Sequence, residues 1–129
     1  MPSLHLSVPI YRTTGVKKPK THLVGMNYYR NAQYHEQNAL KKEYHDLVAA
    51  QITSDITFVR FEVTYTLWYK RTCDASNIVA VIEKFVLDAL KECGVIPDDS
   101  VTCHIKSTWT VAGKDPTLPR VEITVKEIV

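Results

Sequence analysis

The sequence predicts an α+β domain, a small mixed sheet with two helices packed on it. Apolar residues alternate with period two in four separate stretches, as in strands with one buried face. Two further stretches carry apolar residues at helical spacing. Their order along the chain is β-α-β-α-β-β, and helices interleaved with strands in this way bury their apolar stripes against one shared sheet.

Leu4, Leu6, Val8 and Ile10 alternate with His5 and Ser7, which predicts the first strand. Gly15, Pro19 and the basic residues Arg12, Lys17, Lys18 and Lys20 follow, and this segment reads as a loop. Asn31 to Ile52 contains neither Gly nor Pro. Leu40, Tyr44, Leu47, Val48 and Ile52 recur there at helical spacing. Thr57 to Tyr69 is the clearest strand: Val59, Phe61, Val63, Tyr65, Leu67 and Tyr69 face one way, and β-branched and aromatic residues dominate. Trp68 falls on its polar face, which hints at a partner surface or a covering helix.

Asn77 to Glu92 predicts the second helix, with Ile78, Val81, Ile82, Phe85, Ala89 and Leu90 as its stripe. Asp74 or Ser76 is the candidate N-cap and Gly94 the C-cap. After Pro97-Asp98-Asp99, Val101, Cys103, Ile105 and Trp109 alternate with polar residues in a third strand. Gly113 to Pro119 reads as a loop, and Val121, Ile123 and Val125 mark a fourth strand. No internal repeat or linker interrupts the chain, so one domain is expected over residues 1–129.

Hydrophobic residues make up 45% of the sequence, enough for a real core. Sixteen Lys and Arg against fourteen Asp and Glu give a net charge of +2, so any nucleic-acid footprint must come from clustering of charge. No apolar run approaches the ~18 residues of a membrane span, and no secretory leader is recognisable; a soluble intracellular protein is expected. Cys73, Cys93 and Cys103 are odd in number and lack Cys-x-x-Cys spacing, and the five histidines lack ligand spacing. Neither a disulfide framework nor a zinc site is expected.

The carboxylates of interest are Asp74, just before the second helix, and Asp98 and Asp99, just after it. If the flanking loops brought them together, they would suit a hard divalent ion such as Mg²⁺, which favours oxygen ligands and phosphate. Read by spacing alone, Asp74 is an N-cap and Asp98-Asp99 a turn.

A longer pattern surrounds these acids. Asp74-Ala75-Ser76-Asn77, then Lys84, then Asp88-Ala89-Leu90, then Gly94-Val95-Ile96-Pro97-Asp98-Asp99-Ser100 resembles the core signature of the RusA-type Holliday-junction resolvases. That signature opens on Asp-x-Asp-Asn at a helix start, carries a Lys within the helix and then Asp-Ala-Leu, and closes on a Gly and an Asp-Asp pair. Lys114 to Val125 is similar to the family's last strand, and Asn27-Tyr28-Tyr29-Arg30-Asn31 before a basic helix resembles phage-type members. The resemblance implies a metal-dependent endonuclease that cuts four-way junctions as a homodimer, in recombination, repair or phage DNA processing in the bacterial cytoplasm. It implies Mg²⁺, with Mn²⁺ as the alternative. By position, Asp74 and Asp99 match the outer acids of the metal site and Lys84 the catalytic lysine, with Asp88 as a further acid.

Two departures bear on this. Ser76 stands where the family has its second acid, which removes a charge that Glu83 or Asp88 would have to replace. Asn77 also stands four residues further from Asp88 than in the family pattern, as extra helix or as a loop before it. The candidate phosphate-binding residues are Lys17, Lys18 and Lys20, Arg30 with Lys41 and Lys42, and Lys70 with Arg71, each also readable as a solvated face. Tyr28 and Tyr29 are candidates for base stacking or for packing. Two rivals follow from the same features: a junction-binding protein with a degenerate site, and a protein-interaction adaptor.

Overall fold

The computed structural model describes residues 3–128, so Met1, Pro2 and Val129 of the expected domain lie outside the described residues. The elements are β1 (Ser3–Pro9), β2 (Tyr11–Thr14), β3 (Lys20–Leu23), α1 (Met26–Asn31), α2 (Tyr34–Gln51), β4 (Phe61–Tyr69), α3 (Ala75–Glu92), β5 (His104–Lys114) and β6 (Arg120–Glu127). Four strands form a mixed sheet in the order β1-β6-β4-β5. β6 is antiparallel to both of its neighbours, and β5 is parallel to β4. A parallel pair needs a crossover connection, and α3 supplies it. The α+β class and the mixed sheet are as the sequence predicts.

Period two places Leu4, Leu6 and Val8 of β1, Val63, Tyr65 and Leu67 of β4, and Val121, Ile123 and Val125 of β6 on one buried face. His5, Ser7, Thr64 and Glu122 face the other way and are exposed. Nine residues of α3 are buried against three of α2, so α3 is the principal cover of the sheet. Tyr44 of α2 stacks on Phe85 of α3, with ring centroids 5.7 Å apart. The Tyr44 hydroxyl donates to the Pro9 carbonyl at 2.6 Å, and burial raises its pKa well above that of a free phenol.

Several boundaries depart from the sequence reading. The basic stretch after β1 is a hairpin rather than a loop, with four-residue strands β2 and β3. Gly15 turns it with φ +92°, and a Cβ there would meet the Lys18 carbonyl oxygen at 2.9 Å. The expected helix from Asn31 begins only at Tyr34, and a short unexpected helix, α1, precedes it and ends at Asn31, where Ala32 is extended. Leu47 is exposed rather than part of the apolar stripe. β4 begins at Phe61, because the Phe58 amide bonds instead to the Val95 carbonyl at 2.8 Å. β5 begins at His104, and Val101 lies exposed outside it. Gly94 ends α3 with φ +77°, and the Val95 amide returns to the Leu90 carbonyl at 2.9 Å.

One edge of the sheet is closed by a side chain. Gln51, in the last turn of α2, accepts from the Ser7 amide at 2.8 Å and donates to the Ser7 carbonyl at 2.8 Å. It does for β1 what a neighbouring strand would do. No helix of the described residues is long and apolar enough to cross a membrane.

Ile82 is fully buried at the centre of the α3–sheet contact. Ile82→Ala is expected to lower the unfolding free energy by ~2–5 kcal/mol. In urea denaturation this appears as a lower midpoint at unchanged slope.

Candidate nucleic-acid interface

The loop between β4 and α3 carries Lys70, Arg71 and Asp74. Lys70 and Arg71 line an open cleft with Tyr11 of β2, Thr21 of β3, and Pro116, Thr117 and Pro119 of the β5–β6 loop. The Lys70 ammonium lies 6.0 Å from the centroid of the Tyr11 ring. Lys20 opens β3 one residue before Thr21, and Lys17 and Lys18 are exposed in the hairpin turn above it. The hairpin that carries Lys17, Lys18 and Lys20 therefore walls the cleft through Tyr11 and Thr21, while the three lysines themselves do not line it and Lys20 alternates to the opposite face from Thr21. Arg30 is exposed in the last turn of α1 and does not line this cleft. Lys41 pairs at 3.6 Å with Glu92, at the opposite end of α3.

The β5–β6 wall of the cleft is held by charge. Asp115 accepts from the Leu118 amide at 3.1 Å and from Arg120 at 2.8 Å, which lowers its pKa below the usual carboxylate range. The Arg120 guanidinium lies 5.0 Å over the Trp68 ring, so an arginine of the same chain, not a helix of it, covers that tryptophan. The sequence reading found this loop but not its place at the cleft, and it did not single out Tyr11 or Thr21. The only trace of the hairpin is threonine enrichment around a glycine turn.

Asp74 lies beside the cleft, across the Thr72–Cys73 link, in a hollow with Met26, Asn27, Asn77 and Ile78. Its carboxylate accepts from the Ser76 hydroxyl at 2.8 Å and from the Asn77 amide at 3.2 Å instead of capping a backbone amide. Ser76, at the position of the missing acid, therefore donates to Asp74.

The remaining acids lie elsewhere. The four extra residues of this chain are helical, because α3 starts at Ala75. At ~1.5 Å per residue, Lys84 stands ~15 Å along the helix from Asp74, Asp88 ~21 Å, and Asp99 beyond the far end of a ~27 Å rod. The flanking loops do not bring Asp74 and Asp99 together, because a straight helix holds its two ends apart. Lys84 lies on the outer stripe of α3 and is exposed. Glu83 turns toward β5, where it accepts from Ser107 at 2.8 Å. Ser107 in turn hydrogen-bonds His104 at 2.6 Å. Glu83 therefore does not stand in for the acid missing at Ser76.

At the C-terminal end of α3, Lys91 pairs with Asp98 at 3.2 Å, and Asp88 and Asp99 add negative charge around it. Lys91 and the Asp99 amide hold Asp98 below the usual carboxylate range, and Asp98 raises Lys91. A lysine ammonium already sits among these three acids. Among the described residues, no three His, Cys, Asp or Glu side chains are grouped so as to hold a metal ion. Within one chain, Asp74, Asp88 and Asp99 do not fit a single Mg²⁺. No protein-family model matches this chain, and no curated protein matches its sequence.

The depressed pKa of Asp98 means that its contacts stabilise the fold above the ordinary carboxylate pKa and are lost as pH falls through the depressed value. Lys91→Ala is expected to move the Asp98 midpoint up toward the ordinary carboxylate value and to leave Asp115 where it is. Carboxyl-carbon NMR titration reads both groups in one experiment.

Proposed function

We propose that this protein acts on branched DNA as a RusA-like, Mg²⁺-dependent endonuclease in recombination, repair or phage DNA processing, working as a homodimer in the bacterial cytoplasm. The observation that carries the reading is the cleft lined by Lys70 and Arg71 and walled by Tyr11 and Thr21 of the lysine-bearing hairpin, with Asp74 beside it. Affinity for a phosphate backbone comes largely from such clustered cations. Their neighbour Asp74 is the acid that the resemblance assigns to the metal. When bound, Mg²⁺ neutralises phosphate charge and activates water. The acids of one chain do not fit one ion, so this reading requires a second copy to complete the site.

A second reading is favoured by Ser76. Its hydroxyl adds no negative charge and is engaged as a donor to Asp74. A chain of this kind binds a junction at the cleft without cutting it.

A labelled four-way junction with Mg²⁺, Mn²⁺ and EDTA lanes separates the two. Endonuclease function predicts paired nicks near the branch point that require metal and vanish in Asp74→Asn and Asp99→Asn. Retardation without cutting selects the binding protein, and neither retardation nor cutting sinks both. Lys70→Ala and Arg71→Ala are each expected to weaken junction binding and to reduce the slope of log affinity against log salt by about one.

A further inference from the structure

We propose that Ser107 is a nucleophile, set between Glu83 and His104 on the outer strand of the sheet, and that it takes the acyl group of an activated carboxylic ester. The site lies outside the basic cleft and does not depend on the endonuclease reading. Three elements supply it: His104 and Ser107 come from β5, Glu83 from α3, and Phe61 and Tyr65 from β4.

Strict alternation would put His104 and Ser107, three residues apart, on opposite faces of β5. The register shows how they come to share one. His104 pairs with Phe61 and Lys106 with Glu62, so Ile105 is an extra residue in a bulge. Ser107 then pairs with Val63, and both side chains lie on the helix-covered face. The His104 ring stacks on Phe61, with centroids 5.3 Å apart and planes 3° apart, which fixes its orientation. On α3, Ala75, Val79, Glu83 and Leu87 recur every four residues and share a stripe. Val79 and Leu87 are buried, and Ala75 borders Val111 of β5. Glu83 is the one carboxylate of that stripe, and it meets Ser107.

The hydrogen bonds set the roles. An ionised carboxylate only accepts, so the single Ser107 hydrogen goes to Glu83, at 2.8 Å. His104 Nε2, 2.6 Å from the same Oγ, is then a donor. A hydroxyl within hydrogen-bond reach of a base, with its neighbours held in orientation, is the arrangement on which covalent catalysis is built.

A second observation points to a ligand. Tyr65 is fully buried, its hydroxyl faces Glu83 and Ser107, and it makes no hydrogen bond among the described residues. Burial, and Glu83 beside it, keep that phenol protonated. A buried donor left unpaired is costly, and the carbonyl oxygen of a bound ester would satisfy it. Further along the same face, Trp109 and Val111 are 46% and 43% exposed and form an apolar shelf for the acyl chain.

Attack forms the bond from Ser107 Oγ to the carbonyl carbon, and the Ser107 proton passes to Glu83. The bond to the leaving alcohol breaks as His104, in its imidazolium form, protonates that oxygen. Water then attacks the acyl-serine and loses a proton to His104. The acid departs, and Glu83 returns its proton to Ser107.

An alkyl fluorophosphonate is the probe, because it forms a stable bond from serine Oγ to phosphorus with loss of fluoride. Intact-mass analysis and peptide mapping of the full chain are expected to show one adduct, on Ser107. Labelling is expected to run ~100-fold faster in the folded chain than in the urea-unfolded chain, and Glu83→Gln and His104→Ala each to remove most of that advantage. No adduct on Ser107, or equal labelling of folded and unfolded chains, overturns the proposal; this comparison stands even if a variant misfolds. Folded variants that label as fast as the parent also overturn it. p-Nitrophenyl butyrate is expected to acylate the same residue, and an acyl group mapped elsewhere sinks the ester assignment.

Discussion

The packing of α3 across the sheet is the constraint on which the rest of the molecule depends. Ile78, Val81, Ile82, Phe85, Val86, Ala89 and Leu90 are buried beneath it, against Val63, Tyr65 and Leu67 of β4 and the inner residues of β6. Helix interiors packed at crystal-like density do not bend to suit a site. Eighteen continuous residues form a rigid spacer, and everything attached to its two ends is held apart. The loop before α3 carries Lys70, Arg71 and Asp74, and the loop after it carries Asp98 and Asp99. The two halves of the family-like signature thus occupy opposite ends of one protomer.

Charge is distributed to match. The Asp74 end is bordered by the basic cleft, and its carboxylate is held by uncharged donors. The Asp98–Asp99 end already has a cation in Lys91. The two edges of the sheet also differ: α2 reaches over β1 through Gln51, whereas β5 has a bare backbone and an apolar shelf.

Legibility in the sequence followed burial. β1, β4, β6 and α3 announced themselves because each has one face in the core and one in water, which imposes a period. β2 and β3 were missed because they are short and none of their residues is fully buried, so little in them alternates. α1 was missed because it is only six residues long with none of them buried, and the start of α2 was placed early because neither Gly nor Pro marks the gap at Ala32. β5 was read as ending near Trp109 because Val111 and Gly113 belong to an edge that this chain leaves uncovered. Within the site, Lys70, Arg71 and Asp74 could be grouped from sequence because they share one loop. Tyr11 and Thr21 could not, because they reach it through a hairpin.

The sequence by itself determined the α+β class, the apolar faces of the principal helix and strands, and the identity of the acids and bases at loop positions. Period and spacing are local properties, and they survive in a single chain of letters. Tertiary structure alone decided that the basic hairpin closes onto Lys70 and Arg71, that the four extra residues lengthen α3, and that Asp74 and Asp99 stand at opposite ends of a helix ~27 Å long. Those distances depend on how rigid elements pack on one another, which residue spacing does not encode.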